Sequence, residues 1–387
     1  MYDIPLGFSS AAMKSGLKNN DYDLAIIKSD PPSVVSAVYT QNNFQAAPII
    51  FSKKNDKNNI ELLIVNSKIA NALTGKKGYD DVLDIAKYAG EIYNIKKDNI
   101  LMASTGIVGV PLETEKIKKA INISNKYFNN SFDNISKAIQ TRDKFDKIYT
   151  TQLEISSGKT ANFYAVAKGS SIIHPNMATV LLFIFTDLNI EKETLDKAFR
   201  ESIDKTLNRI SVDGETSTND MALIMANGAL NNKIITEKNK KLFKDLKYKL
   251  DEICAYLAKM IILDGEGITK TIIVSVKRAK TQNDAFNIAK KIATSNLVKI
   301  LFLSKNPNFE KILSVLGNCN ININNISLSV NDEDIYKNGI ISKNENYTER
   351  KENYITIDLG YNTKYEDYYY FTDLTQEYIS IHSSYNI

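Results

Sequence analysis

A chain of 387 residues is long enough for two or three ordinary domains at ~150 residues each, or for one interlocked unit with a sizeable core. Its 49 Lys and Arg against 45 Asp and Glu leave a formal charge of only +4, with bases scattered among acids, which argues against a nucleic-acid or anionic-membrane surface. Cys254 and Cys319 match no metal-ligand spacing and read as reduced thiols, the stretch at 1–20 does not read as a signal peptide, and no apolar run approaches the ~18 residues of a membrane span. The expectation is a cytosolic protein with no metal site.

In chain order, short apolar and β-branched stretches come first: LAII at 24–27, VVSAVY at 34–39, PIIF at 48–51 and ELLIV at 61–65, each expected as a strand. They alternate with helix-like pieces such as DDVLDIAKYAGEIY at 80–93, and that alternation predicts an α/β protein. KKNDKNN at 53–59 and FNNSFDN at 128–134 read as solvated loops, and VLLFIF at 180–185 as a buried strand. Leu195, Phe199, Ile203, Leu207 and Ile210 recur at three- and four-residue steps and predict an amphipathic helix within 191–210. A second helix, from about 240 to 263, puts Phe243, Leu246, Leu250, Ile253, Leu257 and Met260 on one face. Strand TIIVSV at 271–276 and helices at 282–294 and 308–316 follow, and the C-terminal stretch, with YITIDL at 354–359 and YISIHS at 378–383, alternates like antiparallel strands. No Pro-, Gly- or Ser-rich linker divides the chain, so intermixing of its halves is expected.

The chain has only two histidines, His174 and His382, so a Ser-His or Cys-His relay would have to use one of them. A nucleophile can instead use an α-amine as its base, since that group titrates near ~7.7–8.0, provided the nucleophile becomes an N-terminus. AKGSSIIHPNMATVLLFIFTD at 167–187 could supply one: strain at a turn after Pro175 would present the Ala178 carbonyl to the Thr179 hydroxyl for an N-to-O acyl shift and hydrolysis. Taken alone, a Thr that opens a strand is ordinarily just a strand residue. In ASTGIVGVPLE at 103–113, Thr105 and Gly106 could form an oxyanion hole or merely a strand-to-helix turn. SVDGETSTNDMALIMANG at 211–228 is rich in turn and capping groups, and LDGEGITK at 263–270 sets Glu266 between two glycines, where backbone could approach a ligand.

Together these segments resemble the ornithine acetyltransferase family, the bifunctional glutamate N-acetyltransferases of arginine biosynthesis. The resemblance runs in order through GFSSAAMKSGLK at 7–18, AVYTQNNFQAAPI at 37–49, VNSKIANALTG at 65–75, STGIVG at 104–109, AIQTRD at 138–143 and AKGSSIIHPNMATV. It continues through VDGETSTNDMALIMANG, DGEGITK, ATSNLVK at 293–299 and NPNFEKIL at 306–313. It implies an α-β-β-α sandwich of the ornithine acetyltransferase and self-cleaving aminopeptidase type, cut between Ala178 and Thr179 into an α fragment, 1–178, and a β fragment, 179–387, with the active site where the fragments meet. Thr179 matches the nucleophile, Thr105 and Gly106 the oxyanion pair, and Thr141, Lys168 and Glu266 the substrate contacts.

The implied reaction moves acetyl from N2-acetyl-L-ornithine to L-glutamate through acetyl-Thr179, without a metal or organic cofactor, in an α2β2 assembly. Acetyl-CoA as a further donor stays open, as do a self-cleaving aminopeptidase or amidase and a non-catalytic relative. Three departures stand out. Lys68 and Ile69 replace a small, polar pair, Arg142 replaces a threonine, and His382 and Ile387 stand where the family has a substrate-contacting Asn and Thr, so those roles are not carried over to them.

Overall fold

The computed structural model describes residues 4–57, 59–156, 158–174, 180–319, 321, 325–337, 339–342 and 350–383. The chain divides into two compact units, each discontinuous in sequence. The first holds Met1–Gly169, Pro175–Asn208 and Thr216–Ile261; the second holds Ser170–His174, Arg209–Glu215 and Ile262–Ile387. Each unit thus draws on both halves of the chain.

The first unit is built on strands β1 (Phe8–Met13), β2 (Leu24–Tyr39), β3 (Ile60–Asn66), β4 (Ile100–Ser104), β5 (Lys147–Ser156), β6 (Lys159–Lys168) and β7 (Leu181–Thr186). After the short β8 (Ile210–Ser211), which belongs to the second unit, β9 (Met221–Ala226) completes its sheet. The order is β4-β3-β2-β9-β7-β6-β5, with β1 paired to β2. LAII and VVSAVY, expected as two strands, are the two halves of β2: residues 24–29 pair with β1, and residues 34–39 pair with β9. Strands β7 and β9 are parallel, as are β3 and β4, while β6 and β7 are antiparallel.

Alternation along these strands sorts two cores. Leu24, Ile26, Leu62, Ile64, Ile100 and Met102 share one with α2 (Gly75–Tyr93) and α3 (Thr114–Ser124), which follow α1 (Ala47–Asn55). Ala25, Ile27, Leu63, Val65, Leu101 and Ala103 share the other with Phe183, Phe185 and Leu223. Successive strand side chains point to opposite faces, so burial on both faces turns alternation into continuous apolar runs. PIIF is a correction: it lies in α1, because Pro48 sits at the helix start, where no N–H is required and the fixed φ suits a helix. Helices α4 (Ile135–Ile139), α5 (Lys192–Lys205) and α6 (Lys240–Leu263) complete the unit, and Cys254 on α6 is buried and free.

The second unit carries β10 (Thr271–Ala279), α7 (Gln282–Ala293), α8 (Asn296–Leu301), α9 (Lys311–Leu316), β11 (Ser327–Val330), β12 (Glu333–Lys337), β13 (Ile340–Ile341), β14 (Glu352–Asp358), β15 (Tyr365–Thr372) and α10 (Gln376–Ser383). Its sheet runs β13-β12-β11-β14-β10-β15-β8. Ile272, Val274, Val276, Ile355, Ile357 and Phe371 bury one face together with Ala285, Ile288 and Ile292 of α7. Thr281 caps α7 by accepting from Asp284 N at 3.1 Å. YISIHS is the second correction. Its residues form α10, because Thr375 accepts the Tyr378 N–H on its hydroxyl at 3.0 Å and the Ile379 N–H on its carbonyl at 3.2 Å, starting a helix where alternation predicted a strand. No helix among the described residues is long and apolar enough to cross a membrane. The α/β class read from sequence is borne out in both units.

Candidate active site

In the first unit, β6 ends with its last residues buried, so the ammonium of Lys168, 9% exposed, needs acceptors. Its Nζ donates to Thr141 Oγ1 at 2.8 Å and to Thr105 Oγ1 at 3.2 Å, and stands 3.9 Å from Asp143 Oδ2. Asp143 makes that buried cation tolerable. The side chains of Asp143 and Lys147 are both fully buried and meet at 2.7 Å, the Gly169 N–H donates to Asp143 Oδ1 at 2.8 Å, and the Thr141 N–H donates to Oδ2 at 3.1 Å. Burial works to raise the Asp143 pKa, but Lys168, Lys147 and the Gly169 N–H outweigh it and hold the carboxyl at about 2. Lys18 steadies the same corner by donating to the Gln140 carbonyl at 2.8 Å.

The Thr105–Gly106 turn leaves β4 under close control. Thr105 N–H donates to Asn66 O at 3.0 Å, Ile107 N–H to Lys68 O at 2.9 Å, and Asn219 Nδ2 to Ser104 O at 2.9 Å and Ala70 O at 2.6 Å. Gly106 adopts φ +130°, and a Cβ there would lie 2.2 Å from the Lys68 carbonyl, so both conformation and space require glycine. Among the described residues the Gly106 N–H makes no hydrogen bond. Because Thr105 Oγ1 accepts from an ammonium, its own proton is left to donate. A hydroxyl proton and a backbone N–H side by side are the preorganised donors an oxyanion requires.

In the second unit Glu266 is buried at 5% exposure. Its Oε1 accepts from Ser170 Oγ at 3.2 Å and Ser171 Oγ at 3.0 Å, and its Oε2 lies 3.4 Å from His382 Nε2. The Ser170 carbonyl accepts the Glu266 N–H at 2.8 Å. Asp213 holds the next residues, accepting from Ile172 N at 2.6 Å and Ile173 N at 2.9 Å. Ile172 has φ +54°, a left-handed conformation costing a β-branched residue on the order of 1–2 kcal/mol. His174 is buried against Ser211 Oγ at 3.2 Å, and burial, with Lys290 adding to it, pushes its pKa down to about 4, so it is neutral near pH 7.

Of the residues expected from sequence, Thr105, Gly106, Thr141 and Lys168 form one cluster, while Glu266 stands in the second unit among its own partners. Ala178 and Thr179 lie outside the described residues, as does Ile387. Sequence reasoning missed Asp143 and Lys147, a pair spaced i, i+4 at the start of β5, and Ser170 and Ser171, whose hydroxyls looked like ordinary turn chemistry. Asp143 could have been suspected: a lysine expected in a buried site needs a counter-charge, and AIQTRD ends in one.

A hydroxyl polarised by a buried ammonium, next to an N–H left for an incoming oxygen, is the equipment of acyl transfer, and the chain is an acyltransferase. Comparison with known proteins places it further. The ArgJ family model matches residues 9–387. The arginine biosynthesis bifunctional protein ArgJ of Caldanaerobacter subterraneus subsp. tengcongensis is 42% identical over 319 residues, covering 81% of this chain and 78% of the relative. That of Oceanobacillus iheyensis is 36% identical over 394 residues, covering 98% and 95%. A crystal structure of the Bacillus halodurans protein of the same name, 35% identical, superposes with a TM-score of 0.42 over 45% of this chain and 92% of that one. The chain belongs to the ArgJ family.

Proposed function

We propose that this chain transfers the acetyl group of N2-acetyl-L-ornithine to L-glutamate after cutting itself between Ala178 and Thr179. The observation that carries the reading is the Lys168 ammonium on Thr105 Oγ1, beside the Gly106 N–H that makes no hydrogen bond among the described residues. Cleavage would free the Thr179 amine, which takes the proton of the Thr179 hydroxyl as its oxygen attacks the acetyl carbonyl. Negative charge then grows on the carbonyl oxygen, where the Thr105 hydroxyl and Gly106 N–H stabilise it. Ornithine leaves with a proton, and the glutamate amine attacks acetyl-Thr179 by the same route in reverse, giving ping-pong kinetics. Lys168 suits a substrate carboxylate, because Asp143 and the two threonines hold the ammonium in place, and Glu266 suits a substrate ammonium. The cleaved chains are proposed to assemble as α2β2.

The test is ornithine release from acetylornithine by the purified protein, with and without glutamate. Release that depends on glutamate, with acetylglutamate formed in equal amount, is the expected result. Equal release in both would mean that water is the acceptor, which is the aminopeptidase or amidase chemistry and overturns the transferase reading.

A further inference from the structure

Lys18 is remote in sequence from the Lys168 cluster and reaches it through backbone. Its Nζ donates to Tyr22 O at 2.9 Å, to Gln140 O at 2.8 Å and, at a longer 3.4 Å, to Lys137 O. Each of those partners is a carbonyl. Asp23, buried on the same loop, spends its carboxylate on the backbone N–H groups of Ser15 at 2.6 Å, Gly16 at 3.1 Å and Lys18 itself at 2.9 Å.

The ammonium acts where α4 ends. The last carbonyls of a helix have no partner within it, and a lysine side chain is a ready donor to them. Lys18 takes the carbonyls of Lys137 and Gln140, and Ser67 Oγ takes that of Ala138 at 2.7 Å. Gln140 is the residue at which the chain leaves the helix, in an extended conformation. Thr141 follows directly, its N–H donating to Asp143 Oδ2 at 3.1 Å and its Oγ1 accepting from Lys168 Nζ at 2.8 Å. A connected path therefore runs from Lys18 through the Gln140 carbonyl and the Thr141 hydroxyl to the Lys168 ammonium.

Charge points the same way. Burial lowers the Lys18 pKa and Lys168 lowers it further, against the opposing pull of Asp21, Asp23 and Asp143. The two ammonium groups thus feel each other, and Asp143, 3.9 Å from Lys168, also serves Lys147 at 2.7 Å. An anion arriving at Lys168 offsets that repulsion, and a neutral group does not.

We propose that Lys18 is a positioning residue that sets the preference of the site for carboxylate-bearing ligands. The proposal rests on the reading of Lys168 as the contact for a substrate carboxylate. Lys18 touches no ligand; it holds the corner that aims Lys168 and adds positive charge behind it. Without it Lys168 still stands beside Thr105 and Asp143, but Thr141 is no longer pinned. A ligand carboxylate then binds less tightly, while the rest of the ligand binds as before.

The experiment is direct binding, by the purified full protein, of L-ornithine and of putrescine, which is ornithine without its carboxylate, read by ligand-observed NMR. The ratio of the two affinities isolates the carboxylate, because loss of folded protein lowers both together and cancels. Wild type is expected to prefer ornithine, and Lys168→Met to bind the two equally. Lys18→Met should lose about tenfold of the preference through ornithine alone, with putrescine bound as in wild type. Thermal midpoints are read alongside, and Lys18→Gln takes the place of Lys18→Met if the latter does not fold. A Lys18 variant that keeps the wild-type ratio, or that weakens both ligands equally, overturns the proposal. A wild-type protein without preference, or an unchanged ratio in Lys168→Met, instead overturns the carboxylate role of Lys168 on which the proposal stands.

Discussion

The two units each bury a carboxylate beside functional side chains, and they do it by opposite means. Asp143 in the first unit meets Lys147 at 2.7 Å and Lys168 at 3.9 Å, and its ionised state is fixed down to about pH 2. Glu266 in the second unit meets two serine hydroxyls and stands 3.4 Å from the His382 ring. One arrangement holds a carboxylate against two lysines; the other holds it on hydroxyls beside an imidazole.

The largest expected effect sharpens that contrast directly. Asp143→Asn leaves two lysines buried without their counter-charge and is expected to cost about 3–5 kcal/mol in a denaturant titration. Glu266→Gln, which keeps an acceptor for the serines, should cost about 1 kcal/mol. Equal losses would break the comparison. Next, Thr105→Val keeps the shape of the turn and removes the polarised hydroxyl, so kcat should fall about 100-fold or more while the denaturation midpoint moves little.

Acid provides the third test. The folded pKa of Asp143, about 2, lies below its ordinary value of 3.8, so the stability it contributes is fully present above pH 3.8 and is lost as pH falls towards 2. The loss should be on the order of 2 kcal/mol and should be missing from the acid titration of Asp143→Asn, if that variant folds well enough to titrate. The smallest effects concern backbone. Lys68 at φ +82° and Ile172 at φ +54° hold left-handed conformations with exposed side chains, one in each unit. Lys68→Gly and Ile172→Gly should each raise stability by about 1 kcal/mol, less the entropy glycine adds to the unfolded chain.

Legibility from sequence followed the range of the interactions. Strands β3, β7 and β10 and helices α2, α5, α6 and α7 were readable because burial writes its period into a contiguous stretch. PIIF and YISIHS were misread because their apolar content is ambiguous and a single residue, Pro48 in one and Thr375 in the other, decides the helix. The union of LAII and VVSAVY in one strand was invisible, because it depends on partners far along the chain: β1 and β3 for one half, β9 for the other. At the candidate site, Thr105, Gly106 and Lys168 were singled out through family motifs, whereas Asp143 with Lys147 and Ser170 with Ser171 join it only through folded proximity. Residue types as common as these carry no local mark of their role.

The central claim is that one residue, Thr179, supplies both the hydroxyl that carries the acetyl group and the amine that activates it. It is tested most directly by mass spectrometry of the purified protein before and after addition of acetylornithine. The account predicts a fragment beginning at Thr179 that becomes one acetyl group heavier, and a Thr179→Ala protein that is neither cut nor acetylated. An uncut wild-type chain with full acetyl-transfer activity would contradict it.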